Sequence, residues 1–139
     1  IEAGLIPICC VGETGEERRK GLTREVINRQ IDSLFSALGP CTSKVNLEFL
    51  IAYEPVWAIG TGESASPELA SETHIMIRDR VAQHNAIVAE SIKILYGGSV
   101  NEKNAGSFFE KGEIDGALIG GASLKPYSFN EIRKLAAGV

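Results

Sequence analysis

The chain has 139 residues, a formal charge of −4 at neutral pH, and 44% hydrophobic against 23% charged residues. That balance suits one soluble globular domain, residues 1–139, with room for a sizeable core. It excludes the clustered basic footprint of a nucleic-acid binder, and no stretch is apolar over a membrane-spanning length, so neither partner is expected.

In chain order, Ile1-Glu2-Ala3-Gly4 reads as a helix end with a glycine just past it, as if the sequence continued something longer, and no signal peptide is visible. Leu5 to Val11 is an apolar run of the buried-strand type, closed by Gly12-Glu13-Thr14. Glu16 to Lys20 is a short polar helical turn. Thr23 is a candidate N-cap for a long helix whose apolar face is Val26, Ile27, Ile31, Leu34, Phe35 and Leu38. Gly39-Pro40 stops that helix, and Cys41 to Asn46 is a polar connection.

Phe49 to Tyr53 is the second strand. Ser66-Pro67-Glu68 starts a helix with a cap, a proline in the first turn and an acid near the N-terminal dipole. Its inner face is Leu69, Ala70, Thr73, Ile77 and Val81, and it fades near His84-Asn85. Ile92 to Tyr96 is the third strand, followed by Gly97-Gly98-Ser99 and a helix capped by Asn101 with Ala105, Phe108 and Phe109 inside. The fourth strand lies within Ile114 to Ile119. A last helix turns Phe129, Ile132 and Leu135 inward. Strand and helix alternate four times with short glycine-marked loops, which implies parallel strands and right-handed crossovers in an α/β fold.

The sequence has three cysteines, of which Cys9 and Cys10 are adjacent in a strand and poorly placed to pair with each other. A reduced compartment is the simpler reading. No metal-ligand spacing is present, and His74 and His84 are placed at the surface or a helix edge.

The most chemically charged stretch follows the second strand. Glu54 stands at the strand's end. Pro55 denies a donor to any continuing ladder, and the loop through Val56, Trp57, Ala58 and Ile59 is apolar before Gly60-Thr61-Gly62 frees the backbone. A proton-transfer site under a lid needs such a carboxylate beneath an apolar loop with a glycine hinge. The same residues also fit a strand ending in a solvated Glu, with the Trp packed on the core. Glu13, Glu54, Gly97-Gly98-Ser99 and Gly120-Gly121 all follow strands, so they gather at the carboxyl ends of the sheet, where α/β folds bind ligands. Paired glycines before a helix let backbone N–H groups converge on a phosphate, although tight turns use such pairs as well.

Four ordered segments carry a resemblance: Pro7 to Thr14, Ala52 to Gly62, Tyr96 to Val100, and Gly116 to Leu124. Together they resemble triosephosphate isomerase, barrel strands five to eight. The resemblance implies a (β/α)8 TIM barrel of which this chain supplies four βα units. It implies interconversion of dihydroxyacetone phosphate and glyceraldehyde 3-phosphate with Glu54 as the base and no cofactor or metal. It places the phosphate on backbone N–H groups of Gly60, Ser99, Gly120 and Gly121, and the lid at Pro55, Val56, Trp57, Ala58, Ile59, Thr61 and Gly62. It makes Glu13 and Tyr96 the lid's supports, Arg80 and Asp115 an ion pair behind the site, and the intact protein a cytoplasmic homodimer. The family's N-terminal Lys motif and strand-end His are not in the chain, and no lysine here falls within the matching motifs to replace them. The 139 residues alone are therefore expected to be inactive and to self-associate. The alternative from another class is a non-catalytic phosphate-binding or assembly half-barrel; an unrelated open doubly wound sheet is a third reading.

Overall fold

The computed structural model describes residues 1, 3–39 and 48–138. Four parallel strands lie side by side in chain order, β1 (Ile8–Val11), β2 (Leu50–Tyr53), β3 (Lys93–Tyr96) and β4 (Gly116–Ala117). The helices between them are α1 (Gly15–Arg19), α2 (Thr23–Leu38), α3 (Pro67–His84), α4 (Ala86–Ser91) and α5 (Ala105–Phe109), with α6 (Pro126–Ala137) after β4. The result is an α/β half-barrel. Its register is uniform: Val11, Tyr53, Tyr96 and Ala117 lie level across the sheet, so residues that follow the strands emerge together at one rim.

Several local signals act as their chemistry dictates. Ser66 caps α3 by accepting the Leu69 N–H, with Pro67 in the first turn. The core lies between sheet and helices, where Val26, Ile27, Ile31 and Phe35 of α2 and Ala70, Thr73, Ile77 and Val81 of α3 meet Ile51, Tyr53, Ile94 and Tyr96.

Other expectations are corrected. Thr23 is the first residue of α2, not its cap; Thr14 caps α1 instead, in a reciprocal box with Glu17. Asn101 does not cap α5. It shapes the turn before it, accepting from the Lys103 N–H while its own N–H donates to Asn104. The end of α3 falls where expected, at His84, and Asn85 there starts α4 by accepting from the Val88 N–H. The fourth strand is only two residues long. Pro40 and the Cys41 to Asn46 connection lie outside the described residues.

The largest departure is exposure. The first apolar run is buried only at its end, at Val11: Leu5 is 72%, Ile6 56% and Ile8 44% exposed. In α6 only Ile132 of the three expected residues is buried, while Phe129 and Leu135 are exposed. The reason is shared. β1 and β4 are the two edges of the sheet, and the elements beside them are covered from one side only. Among the described residues no helix is long and apolar enough to cross a membrane.

Candidate active site

Glu54 leaves β2 at the carboxyl rim. Its N–H still donates to the Val11 carbonyl at 2.7 Å, so the backbone of the candidate base is held by the ladder. Its side chain lies across Gly97, where a Cβ would stand 2.6 Å from Glu54 Cγ. The glycine after β3 is thus required by close approach and not by an unusual φ. On the other side, a Cβ at Gly12 would overlap the Glu54 carbonyl oxygen. Two glycines from neighbouring strands make the slot in which Glu54 sits. The Cys10 thiol faces the same carboxylate; burial, then a hydrogen bond and charge from Glu54, push its pKa up.

Glu54 opens on a cavity of about 670 Å³ that Gly60, Ser99, Gly120 and Gly121 also line. The sheet rim therefore brings together the proposed base and all four expected phosphate donors. Lys103 and Lys125 also line this cavity. The sequence reading did not place them there, because neither falls in a matching motif.

The loop of residues 55–62, the expected lid, is tied down at several points. Val56–Ala58 forms a 3-10 turn, and the Val56 N–H donates to the Glu13 carbonyl at 3.0 Å. Pro55 and Ala58 are buried, whereas Val56 and Ile59 are exposed. Gly60 and Gly62 have φ of 68° and 82°, which explains the residue type at both. Thr61 donates to the Trp57 carbonyl and accepts the Glu63 N–H, closing the tip on itself. Ser99 donates to the Ala58 carbonyl at 2.9 Å, and Tyr96 accepts the Ala65 N–H at 2.9 Å. The Tyr96 ring folds back over Gly98, where a Cβ would strike its hydroxyl.

Glu13 is fully buried and does not line the cavity. It accepts from Trp57 Nε1 at 3.1 Å, from the Tyr53 hydroxyl at 3.1 and 3.2 Å, and from Arg18 Nη1 at 3.4 Å. The Arg18 guanidinium also stands 4.9 Å from the centre of the Trp57 ring. Burial and then the Glu13 charge push the Tyr53 pKa well up, so this hydroxyl stays a donor.

A model of the triosephosphate isomerase family matches residues 1–136. The chain belongs to the triosephosphate isomerase family. It is 52% identical over 136 residues to triosephosphate isomerase of Proteus mirabilis (strain HI4320), covering 98% of this chain and 52% of that protein. It is 50% identical over 137 residues to the enzyme of Pseudoalteromonas translucida (strain TAC 125), covering 99% of this chain and 54% of the relative. With triosephosphate isomerase of Acidithiobacillus ferrooxidans it shares 50% identity over 134 residues, covering 96% and 51%. The chain thus spans about half the length of the curated relatives it matches.

Two residue assignments need correction. The ion pair with Asp115 is made by Arg78 at 2.7 Å; Arg80 instead pairs with Asp32 at 2.6 Å. The arginines lie on opposite flanks of the inward stripe of α3, so one turns to β3 and β4 and the other to α2. Burial pushes the Asp115 pKa up, but the Ile94 N–H, Lys93 and Arg78 together hold it below the usual carboxylate range. His74 is not at the surface. It is fully buried edge-on to Tyr53, with Nδ1 3.2 Å from the Glu113 carbonyl. A carbonyl only accepts, so Nδ1 carries the proton. Nε2 then presents a bare lone pair, and it has no partner among the described residues. Burial lowers the His74 pKa to about 4. His84 is partly exposed, pairs with Asp32 and stacks on Phe35. Neither histidine lines the cavity.

Proposed function

We propose that this chain carries the base, lid and phosphate cradle of a triosephosphate isomerase, interconverting dihydroxyacetone phosphate and glyceraldehyde 3-phosphate. The observation that carries the reading is the single cavity shared by Glu54, Gly60, Ser99, Gly120 and Gly121. Glu54 takes a proton from the carbon next to the carbonyl and returns it to the neighbouring carbon, passing through an enediolate. Proton transfer alone accomplishes the isomerisation, so the reaction needs no cofactor. The backbone N–H groups are the phosphate's cradle, with Lys103 and Lys125 on the wall of the same cavity. An enediolate phosphate exposed to water eliminates its phosphate. The lid of residues 55–62 therefore protects the intermediate while it strengthens every electrostatic contact inside.

The enediolate oxygens also need a donor. Neither histidine of this chain reaches the cavity, and we assign that role to Lys and His in the other half of the family's length. In this reading residues 1–139 are one half of a barrel domain, and the exposed edges of β1 and β4 are where the remaining βα units pair. The intact protein is then a cytoplasmic homodimer. The test is a coupled triose-phosphate assay on a protein of the relatives' full length. Shortening Glu54 to Asp withdraws the carboxylate by one methylene and is expected to cost on the order of 10²-fold, mainly in kcat. An unchanged kcat would remove Glu54 from the mechanism.

A further inference from the structure

Gln30, on α2, reaches across the sequence to the residue that follows β1. The Gly12 N–H donates to Gln30 Oε1 at 2.9 Å, and Gln30 Nε2 donates to the Gly12 carbonyl at 3.0 Å. The sheet explains why these two backbone groups need a partner. The carbonyls of Pro7, Val11 and Glu13 accept from Leu50, Glu54 and Val56, so their backbone faces β2 and the lid. Alternation along a strand turns Gly12 the other way, toward the edge of β1 that pairs with no described strand. A primary amide offers the same donor and acceptor as a peptide. Gln30 stands where a neighbouring strand's peptide would be.

Gly12 is also the residue with its back against the candidate base. A Cβ there would overlap the Glu54 carbonyl and lie 3.2 Å from Pro55 N. The residue after it is Glu13, whose carboxylate holds Trp57. The backbone at position 12 thus supports both the peptide that joins the base to the lid and the lid's anchor.

We propose that Gln30 is a positioning residue: its amide clamps Gly12 and thereby fixes the Glu54–Pro55 peptide and the Glu13 anchor of the lid. The proposal rests on reading Glu54 as the base and residues 55–62 as the lid. A side chain that merely adds a hydrogen bond to the fold would instead be replaceable at a uniform cost in stability.

Trp57 is the only tryptophan of the chain, so its fluorescence reports the lid directly and needs no turnover. Gln30→Leu removes both bonds at similar volume. Gln30→Glu keeps an acceptor for the Gly12 N–H but sets an oxygen against the Gly12 carbonyl, and it serves if the leucine variant folds poorly. Ser33→Ala, at an exposed site on the same helix, is the control. With far-UV circular dichroism unchanged, both Gln30 variants are expected to red-shift Trp57 emission and raise its acrylamide quenching constant about twofold, as local opening of a loop requires. The control should not move. Faster hydrogen exchange of the Gly12 amide should accompany the shift. Wild-type emission, quenching and Gly12 exchange in both variants would overturn the proposal. That outcome is separate from an active Glu54→Asp enzyme, which would overturn the functional reading and leave the fluorescence result standing.

Discussion

The burial of His74 makes the chain acid-sensitive. In the unfolded chain its imidazole titrates near 6.5, and in the fold burial lowers that value to about 4. The sign follows from linkage: the unfolded state binds the proton more readily, so stability is fully present above pH 6.5 and is lost as pH falls toward 4. A gap of that size corresponds to roughly 3 kcal/mol at 1.36 kcal/mol per unit, a large part of a domain's net stability. The cost arises because protonation must occur at Nε2, which is buried without an acceptor, Nδ1 already donating to the Glu113 carbonyl. The assay is urea unfolding between pH 7.5 and 4.5 for the wild type and His74→Leu, at one fixed protein concentration because association would shift both curves. His74→Leu gives up the bond to Glu113 and is expected to be less stable at pH 7.5, by about 1 kcal/mol. The two stabilities should converge or cross as the pH falls. Contributions from the rest of the chain are common to both proteins and cancel in the difference. Parallel pH profiles would show that His74 does not titrate as its burial requires, and the reasoning would fail.

Gly97→Ala should push Glu54 from its slot, since a Cβ there would stand 2.6 Å from Glu54 Cγ. In a protein of full family length a loss on the order of 10² in kcat with little change in KM is expected from steady-state kinetics, and an unaltered kcat would count against the slot. A Cβ at Gly120 or Gly121 meets nothing within 4 Å in the fold, so Gly120→Val and Gly121→Val crowd the cavity more than the core. Calorimetry with inorganic phosphate should therefore show weakened binding without loss of stability, while Lys111→Met, which breaks only an ion pair with Glu68, should bind as the wild type does. A stronger effect of the lysine change would mean the cradle is misplaced. The 139-residue chain alone, with Ile8 exposed on an edge strand and Leu5 and Ile6 exposed just before it, is expected to self-associate in sedimentation and to show no meaningful isomerase activity; a monomer with near-normal turnover would contradict both.

Much of this was legible in the order of residues. The Ser66 cap, the helical stripe Ala70, Thr73, Ile77 and Val81, and the glycines after β3 and β4 act through neighbours a few positions away. Local sequence is sufficient wherever the partner is local. The four ordered motifs also pointed to the family and to a half-barrel, because parallel strands joined by right-handed crossovers place every strand's carboxyl end on one rim. That rim is why residues as distant as Glu54 and Gly121 could be named as neighbours before any coordinates.

Only the tertiary structure decided which apolar surfaces are covered and which polar groups meet. Leu5, Ile6, Phe129 and Leu135 have the composition of a core and are exposed, because burial depends on what lies alongside an element. His74 follows Thr73 on the inward stripe of α3, and its position against Tyr53 and Glu113 set its burial and its proton. Whether Arg78 or Arg80 takes Asp115 turned on which flank of α3 faces β3 and β4, a rotation of the helix that composition leaves open. The Gln30 clamp carries no sequence signature, since any glutamine on a helix reads as a solvated side chain. It becomes visible only when the unpaired side of Gly12 lies within reach of its amide.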